Sequence, residues 1–520
     1  PKVMGCIDVI SRRALLLLFV LKFSSAWYIR APQHLSRRWP HQSTVQSVAP
    51  EISTGANAGK NATDEWFERV SRKSALSPVV DLLSNTRLKG KDALTRVETP
   101  RRKLEPWRYT DLTSMFGTDY CRPQGLGDVS RETIEPYLEK SASVQMVFMD
   151  GVFCESLSDM SALGSLSIGG LSSLTPDVLP KVLQALEKVP EMDPTPDRRT
   201  CQGSAAFGSL NQACLSDCAY IFVPEGVEVE RPIQVLFMSS ATLAPSISHT
   251  QLVVVVESGA SASLLQSYAG VGDGDTYFTN ALTTVELGAG ATLKHAYAQE
   301  AKLGAQHIET MTVSTDGDSI YELTAVCSGS RQSRFNFDSY MNGENALVDT
   351  VSVLLSGGVG SRQVNDFHSS ITHNAVNSFS KQKHRNMVST KGECIFKGRI
   401  AVPQVAQGTD SEQLCRTLLL TDDAKVVMMP SLEIVADQVK CEHGATVSDL
   451  SGEELFYLLS RGIDRTAAKG ILARGFLTEV IRDRLDAYPQ TSSRLDQSIK
   501  QIVPEDDGLE RSVEYEYSSV

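Results

Sequence analysis

The sequence predicts a mainly β protein: a β-solenoid core over residues 201–445, between an N-terminal, mostly helical domain and a C-terminal helical domain. The core is indicated by short runs of Val, Ile, Leu and Phe that alternate with Gly, Ser and Asn. It is also indicated by a repeat, in which residues 257–269 (ESGASASLLQSYA) align with residues 286–298 (ELGAGATLKHAYA), 29 positions later. Short repeated strands with small residues at the corners indicate stacked coils, because one coil buries little until its neighbours cover it.

Helical periodicity appears on both sides of this core. In the domain predicted for residues 56–200, one stretch (PKVLQALEKVP) starts with Pro and repeats apolar residues at helical spacing. In the domain predicted for residues 446–490, Ser451 and Glu454 form a capping box that begins a helix. Residues 491–520 are polar and acidic, and we expect them to form a disordered tail.

The first 55 residues have the composition of a targeting leader. Residues 1–26 combine basic side chains, a short apolar run (ALLLLFVL) and small residues, which is the order of a signal peptide. Residues 27–55 are rich in Arg, Ser, Gln and His, which is typical of a transit peptide. This order resembles the bipartite leader of proteins sent to plastids of secondary origin, so we expect a mature protein in the chloroplast stroma, outside any membrane. A plain secretory leader is the alternative.

Composition excludes several classes of function. The formal net charge of −12 argues against nucleic acid as the main partner, because phosphate binding needs a basic face. The ten Cys lack the rhythm of a small disulfide scaffold, so we expect free thiols, with Cys394 and Cys415 in the solenoid core. The GANAGKN stretch lacks the spacing of a phosphate-binding loop, and no G-x-S-x-G or H-E-x-x-H motif is present. We therefore predict that this chain is not an enzyme and binds no nucleotide itself.

Several other polar and aromatic residues have structural interpretations. His368 and His373 lie in a predicted strand region, where we expect them to contact solvent or a partner. We expect His295 and His307, within the repeat region, at the surface. Trp107 is predicted to anchor the N-terminal domain by packing.

One pair of residues has the chemistry of a soft-metal site. Cys441 and His443 are two positions apart, just before the C-terminal helical pattern. On an extended backbone the side chains of residues i and i+2 point to the same face, so a sulfur and a nitrogen would project together. Such a pair is half of a tetrahedral metal site. Ordinary packing of a small buried Cys is the alternative.

Three motifs resemble the SufB/SufD family of the SUF iron–sulfur cluster assembly system. They are residues 104–112 (LEPWRYTDL), 418–439 (LLLTDDAKVVMMPSLEIVADQV) and 439–463 (VKCEHGATVSDLSGEELFYLLSRGI). Together they stand in the family's order and at its distances, and the resemblance covers about residues 60–490. The CEHGATV spelling is closer to the SufD branch than to SufB.

The resemblance implies a right-handed parallel β-helix and a non-catalytic scaffold function. The chain would pair with SufB through the β-helix, or with a second copy when alone. It would share a transient iron–sulfur cluster with SufB, near Cys441 and His443. The SufC ATPase would bind the C-terminal helices, whose candidate docking residues are Leu455, Phe456, Leu459, Ile471 and Phe476.

Two other functions stay open at this point. A SufB-type principal scaffold is the alternative within the family. Outside it, a β-solenoid can be a carbohydrate-active enzyme or a structural adaptor. The enzyme would need clustered acids on one face, and the candidates Asp338, Asp349 and Asp366 are dispersed along the sequence.

Overall fold

The computed structural model describes residues 62–74, 82–123, 129–188, 204–357 and 362–503, all within one compact unit. The predicted leader, residues 1–55, lies outside the described residues. Strands in the described ranges form two sheets. Sheet 1 contains β1 (Val144–Met149), β2 (Val152–Phe153), β5 (Ile233–Ser240), β7 (Ser261–Val271), β9 (Thr292–Gln299), β11 (Ile320–Cys327), β13 (Leu347–Ser356), β15 (Phe379–Val388), β17 (Asp410–Leu419) and β19 (Lys440–Asp449). Sheet 2 contains β3 (Ser167–Gly169), β4 (Ala219–Val223), β6 (Ser246–Val256), β8 (Tyr277–Leu287), β10 (Gln306–Thr315), β12 (Gln332–Met341), β14 (Val364–His373), β16 (Glu393–Val402) and β18 (Lys425–Ile434).

The connectivity of these strands defines a β-solenoid. From β4 onward, consecutive strands alternate between the two sheets, and each pairs in parallel with the strand two positions later. One coil therefore consists of one strand from each sheet. Apolar side chains between the sheets stack from coil to coil, as do the rings of Phe335 and Phe367, 4.9 Å apart. The predicted mainly β fold class, with helices at both ends, is confirmed.

The internal repeat is real, but its register differs by two residues from the sequence alignment. That alignment pairs Gly259 with Gly288, whereas the strands pair Ala262 with Leu293. The reason is the corner between strands, which needs a residue with a left-handed backbone. Gly259 and Gly290 adopt it, with φ of 66° and 67°. A shift of two residues keeps every side chain on its predicted face, because strand side chains alternate with a period of two.

The C-terminal helices are α7 (Gly452–Ser460), α8 (Arg465–Leu485) and α9 (Pro489–Ile502). Of these, α8 and α9 cover the outer face of sheet 1. Leu477 and Ile481 of α8 pack against the outward side chains of the sheet, among them Val353 and Met387. No helix in the described ranges has the length and apolarity needed to cross a membrane.

Helix α9 shows that the predicted disordered tail is wrong for residues 491–502. Leu495, Ile499 and Ile502 follow helical spacing and are buried. The buried carboxylate of Glu139 caps this helix, because it accepts hydrogen bonds from the backbone N–H of Gln490 (3.2 Å) and of Thr491 (3.1 Å). The segment was predicted to be disordered because most of its residues are polar, but these three apolar residues are enough to pack the helix against the solenoid. Residues 504–520 lie outside the described residues.

Most of the N-terminal region covers the outer face of sheet 2, while Ile134 packs on sheet 1 against Leu236. Trp66, Trp107 and Phe207 pack against Phe278 and Ile308 of sheet 2, which fits the predicted role of Trp107 as an anchor. The region also contains the hairpin of β1 and β2, and β1 pairs in parallel with β5 and so extends sheet 1. Its helices are α1 (Ala62–Ser74), α2 (Ser84–Leu94), α3 (Thr113–Gly117), α4 (Arg131–Ile134), α5 (Leu179–Leu186) and α6 (Ala205–Cys214).

Residues 104–112, hereafter the anchor segment, are fastened to sheet 2 by a buried arginine. The guanidinium of Arg334 lies 3.8 Å from the ring centroid of Trp107. Its Nη1 donates to the Pro106 carbonyl (2.7 Å) and to Oδ2 of Asp366 (3.1 Å). Oγ1 of Thr110 donates to the same carboxylate oxygen (2.5 Å). A buried charge is stable only when it is paired and hydrogen-bonded in this way.

Four histidines predicted at the surface are buried: His295, His307, His368 and His373. Tyr hydroxyls inside the solenoid lie within hydrogen-bond distance of the first two. Burial lowers the pKa of His295 and of His307 to about 3, so both are neutral. The prediction is wrong for two reasons. Polar side chains line part of the solenoid interior, where they surround His295, His307 and His373. The N-terminal region covers the outer face of sheet 2, where His368 lies beside Arg334.

Glu309 lies in the same polar interior and accepts a hydrogen bond from the Tyr268 hydroxyl (3.0 Å). Burial raises its pKa from 4.5 to about 8. Because the folded state then binds more protons than the unfolded state, folding stability should fall as pH rises between about 4.5 and about 8. We expect Glu309→Gln to remove this loss, with an advantage over the wild type on the order of a few kcal/mol at pH 9 and little at pH 4.

Urea unfolding at several pH values measures this difference. Glu230→Gln, at an exposed loop position, is the matched control and should leave the pH dependence unchanged. An advantage of Glu309→Gln that is the same at pH 4 and pH 9 would contradict the buried-carboxyl account.

Candidate functional site

The solenoid is open at its C-terminal end. In the described part of the chain, β18 pairs only with β16, and β19 only with β17. The side chains of these two last strands are half-buried or exposed, whereas those of the preceding coils are mostly buried. An edge strand presents backbone N–H and C=O groups without partners, so this end can accept another strand.

Cys441 and His443 lie on β19 and share one face, as predicted. In the strand register they stand beside Ser411 and Gln413 of β17, both buried inside the solenoid. The two side chains therefore continue the inner face of the solenoid at its open end. Cys441 is half-buried and packs against the apolar cluster around Ile400, while His443 is exposed.

The thiol of Cys441 is protonated at neutral pH. Partial burial, together with the negative charge of Asp410, raises its pKa above the ordinary value. A metal ion binds the thiolate, so binding at Cys441 must release a proton and should strengthen as pH rises.

As candidate metal ligands, Cys441 and His443 alone would be an incomplete set. The described residues contain no group of three or more His, Cys, Asp or Glu side chains arranged to hold a metal ion. A closed structural site needs four ligands, whereas two ligands leave the remaining positions to another chain or to the cargo itself.

The acids considered for a glycosidase are not brought together. Asp366 is buried and paired with Arg334. Asp349 lies on the other sheet and pairs with Arg484 of α8 (2.5 Å). Asp338 lies on the outer face of β12 near Ser204. The paired carboxyl groups that glycoside hydrolysis needs are therefore absent from this set.

The predicted docking residues differ in exposure. No residue of α7 is buried, and Phe456 is 72% exposed. Ile471 on α8 is 51% exposed. Phe476, in contrast, is half-buried against the outer face of sheet 1, with the guanidinium of Arg385 5.1 Å from its ring. Phe456 and Ile471 are thus exposed, Leu455 and Leu459 are half-buried on α7, and Phe476 packs internally.

A solenoid of two-stranded coils, with helices on both outer faces and an open end that carries a Cys–His pair, is the architecture of a scaffold-like protein. The chain belongs to the SufBD family of the SUF iron–sulfur cluster assembly system. Residues 66–235 match the SufBD N-terminal region, and residues 237–476 match the SufBD core domain. The core match includes Cys441 and His443 but ends before α9.

Three relatives show where the chain stands in the family. It is 29% identical over 441 residues to the iron–sulfur cluster assembly SufBD family protein slr0076 of Synechocystis, covering 82% of this chain and 93% of the relative. It is 30% identical over 404 residues to the chloroplastic protein ABCI7 of Arabidopsis thaliana, covering 76% and 82%. It is 27% identical over 397 residues to the iron–sulfur cluster assembly protein SufD of Escherichia coli, covering 75% and 87%.

Sequence reasoning missed two residues of β17: Asp410, whose charge raises the pKa of Cys441, and Gln413, the register neighbour of His443. Their importance depends on strand register between coils, which leaves no local signal in the sequence.

The position of Cys441 predicts its reactivity. We expect iodoacetamide to modify Cys441 in the folded protein, while the buried thiols of Cys394 and Cys415 stay unmodified. Because its pKa is raised, the rate should still be increasing at pH 9. Asp410→Asn removes a negative charge and should increase the rate at a fixed pH. Peptide mass mapping over time gives the rates, and a rate that levels off below pH 8 would contradict the raised pKa.

Proposed function

We propose that this chain is a non-catalytic, SufD-type scaffold subunit, which pairs with SufB, binds the SufC ATPase and helps to assemble an iron–sulfur cluster. The observation that carries the proposal is the placement of Cys441 and His443 on the inner face of an edge strand, at the open end of the solenoid. Family membership and the similarity to a protein named SufD support it.

Pairing through the open end follows from the backbone of the last coil. The free edges of β18 and β19 have donors and acceptors that an additional strand would satisfy. A partner with the same solenoid could continue both sheets across the interface. SufB is the partner that we propose, and a second copy of this chain would use the same edges when SufB is absent.

An incomplete ligand pair suits a cluster that is cargo. The thiolate of Cys441 favours iron, and the imidazole of His443 is a weaker ligand that can exchange. With the remaining ligands on SufB, the cluster would lie between the two chains and could leave when they separate. A four-ligand site within one chain would retain it.

The ligand role of His443 gives the main test. We expect His443→Ala to assemble with SufB and SufC, to change folding stability by roughly 1 kcal/mol or less, and to lose most cluster formation. The stability change is small because the side chain is exposed. Iron and sulfide are measured after anaerobic co-expression, and melting temperature is measured on the same preparation.

A neighbouring variant controls for damage to the strand. Glu442→Ala changes an exposed side chain on the opposite face of β19 and should keep full cluster loading. Full loading of the complex containing His443→Ala would refute the ligand role.

The exposed apolar face of α7 and α8 is the proposed docking surface for SufC. Among the residues of these helices whose exposure the structure describes, Phe456 is the most exposed large apolar one, and exposed apolar surface of this kind usually marks an interface. We expect Phe456→Asp to abolish co-purification with SufC while the circular dichroism spectrum is unchanged. Leu88→Asp, on α2, is the matched control, since Leu88 is 67% exposed but belongs to the other flank of the solenoid. SufC binding by a folded Phe456→Asp variant would place the docking surface elsewhere.

We also propose that the protein acts in a plastid. The support is the basic, acid-poor composition of residues 27–50 and the similarity to a chloroplastic protein. Sequencing the amino terminus of protein isolated from its cells should find a start beyond residue 27, and retention of the apolar run near residues 14–21 would contradict the proposal.

A further inference from the structure

A row of amide side chains inside the solenoid leads to His443. Gln382 on β15 and Gln413 on β17 are register neighbours, and both are buried. His443 on β19 is the next residue in this row. The side chains are linked by hydrogen bonds: Nε2 of Gln382 donates to Oγ of Ser369 across the interior (2.8 Å), and Nε2 of Gln413 donates to Oε1 of Gln382 (2.6 Å).

In this row of hydrogen bonds, the amide nitrogen of Gln413 donates to Gln382, but its amide oxygen receives no hydrogen bond within the described part of the chain. This carbonyl oxygen, Oε1, is buried. A buried amide oxygen without a donor is unfavourable, so such an atom calls for an explanation. The next side chain in the row that can donate a hydrogen bond is the imidazole of His443.

On the opposite sheet, Gly398 leaves space for the side-chain amide of Gln413. A Cβ atom at Gly398 on β16 would overlap Nε2 of Gln413 and lie 2.7 Å from Cζ of Phe396. The backbone of Gly398 is not in the left-handed region that favours glycine. The missing side chain at this position therefore serves the fit of Gln413.

We propose that Gln413 is a positioning residue for His443. Its Oε1, which has no donor among the described residues in this structure, would accept a hydrogen bond from one imidazole nitrogen once the exposed ring turns toward it. This bond would fix the tautomer and turn the other, unprotonated nitrogen toward the open end of the solenoid. Histidines that bind metals usually donate their second ring N–H to such an acceptor. What the second nitrogen binds rests on the proposed function. The hydrogen bond between Gln413 and His443 does not, because both residues belong to this chain.

The tautomer can be read directly from ¹⁵N spectra of the full chain with labelled imidazoles at pH 8.5. The signals of His443 are those that disappear in His443→Ala. We expect the wild type to favour one neutral tautomer more strongly than free histidine does. Gln413→Met, which keeps the length of the side chain but removes the acceptor, should shift the ratio of tautomers about fivefold toward that of free histidine, as the loss of one ordinary hydrogen bond would.

Two further variants separate positioning from packing. Gly398→Ala displaces the amide without removing it and should shift the ratio in the same direction. Gln299→Met changes a Gln on β9 that is equally buried but several coils from His443. It should lower folding stability and leave the tautomer ratio unchanged.

A wild-type ratio equal to that of free histidine would overturn the proposal, even if Gln413→Met fails to fold. A folded Gln413→Met protein with the wild-type ratio would overturn it as well. Cluster loading of His443→Ala is a separate result: full loading there ends the ligand role of His443 but leaves the tautomer measurement, and therefore the positioning role, to be judged on its own.

Discussion

Lateral pairing between coils is the interaction on which the rest of this structure depends. Each strand of the solenoid is hydrogen-bonded to the coil before it and to the coil after it, which satisfies its backbone and covers its inner face. At the C-terminal end, β18 and β19 have only the first of these neighbours. The missing neighbour leaves a backbone edge without partners in the described ranges and places Cys441 and His443 at the open end, so the proposed partner edge and the proposed ligand pair have one structural cause.

The two outer faces are covered by different means. Most of sheet 1 is covered by α8 and α9 through aliphatic side chains, and its N-terminal end is covered by Ile134 and Leu138 of the N-terminal region. Sheet 2 is covered by the N-terminal region through an aromatic cluster and the buried Arg334–Asp366 pair. An ion pair in such a place contributes little net stability but tolerates few alternative arrangements, which favours one exact position of the anchor segment. With both flanks covered, the open end and the exposed helix α7 remain as the surfaces proposed above for partners.

Features that depend on local sequence periodicity could be predicted, whereas features that depend on contacts between distant residues could not. A period of two was enough to place Cys441 and His443 on one face, and repeated glycines were enough to indicate coils. The sequence alignment of the two repeats was shifted by two residues from their strand register. Matching glycines in an alignment does not show which glycine has the left-handed backbone at the corner between strands. His295 and His368 were misplaced at the surface, since their cover comes from residues far away in the sequence. Gln413 became visible only when the coils were stacked.

The cap on α9 has a consequence for how the protein is made. Glu139 binds the backbone of Thr491, which follows it by 352 residues, so the N-terminal region cannot complete its contacts until nearly the whole chain has been synthesised. Contacts of such sequence separation form late and slowly, and exposed coil edges can associate wrongly in the interval. Helix α9 can therefore take its place only after the strands of every coil have been synthesised.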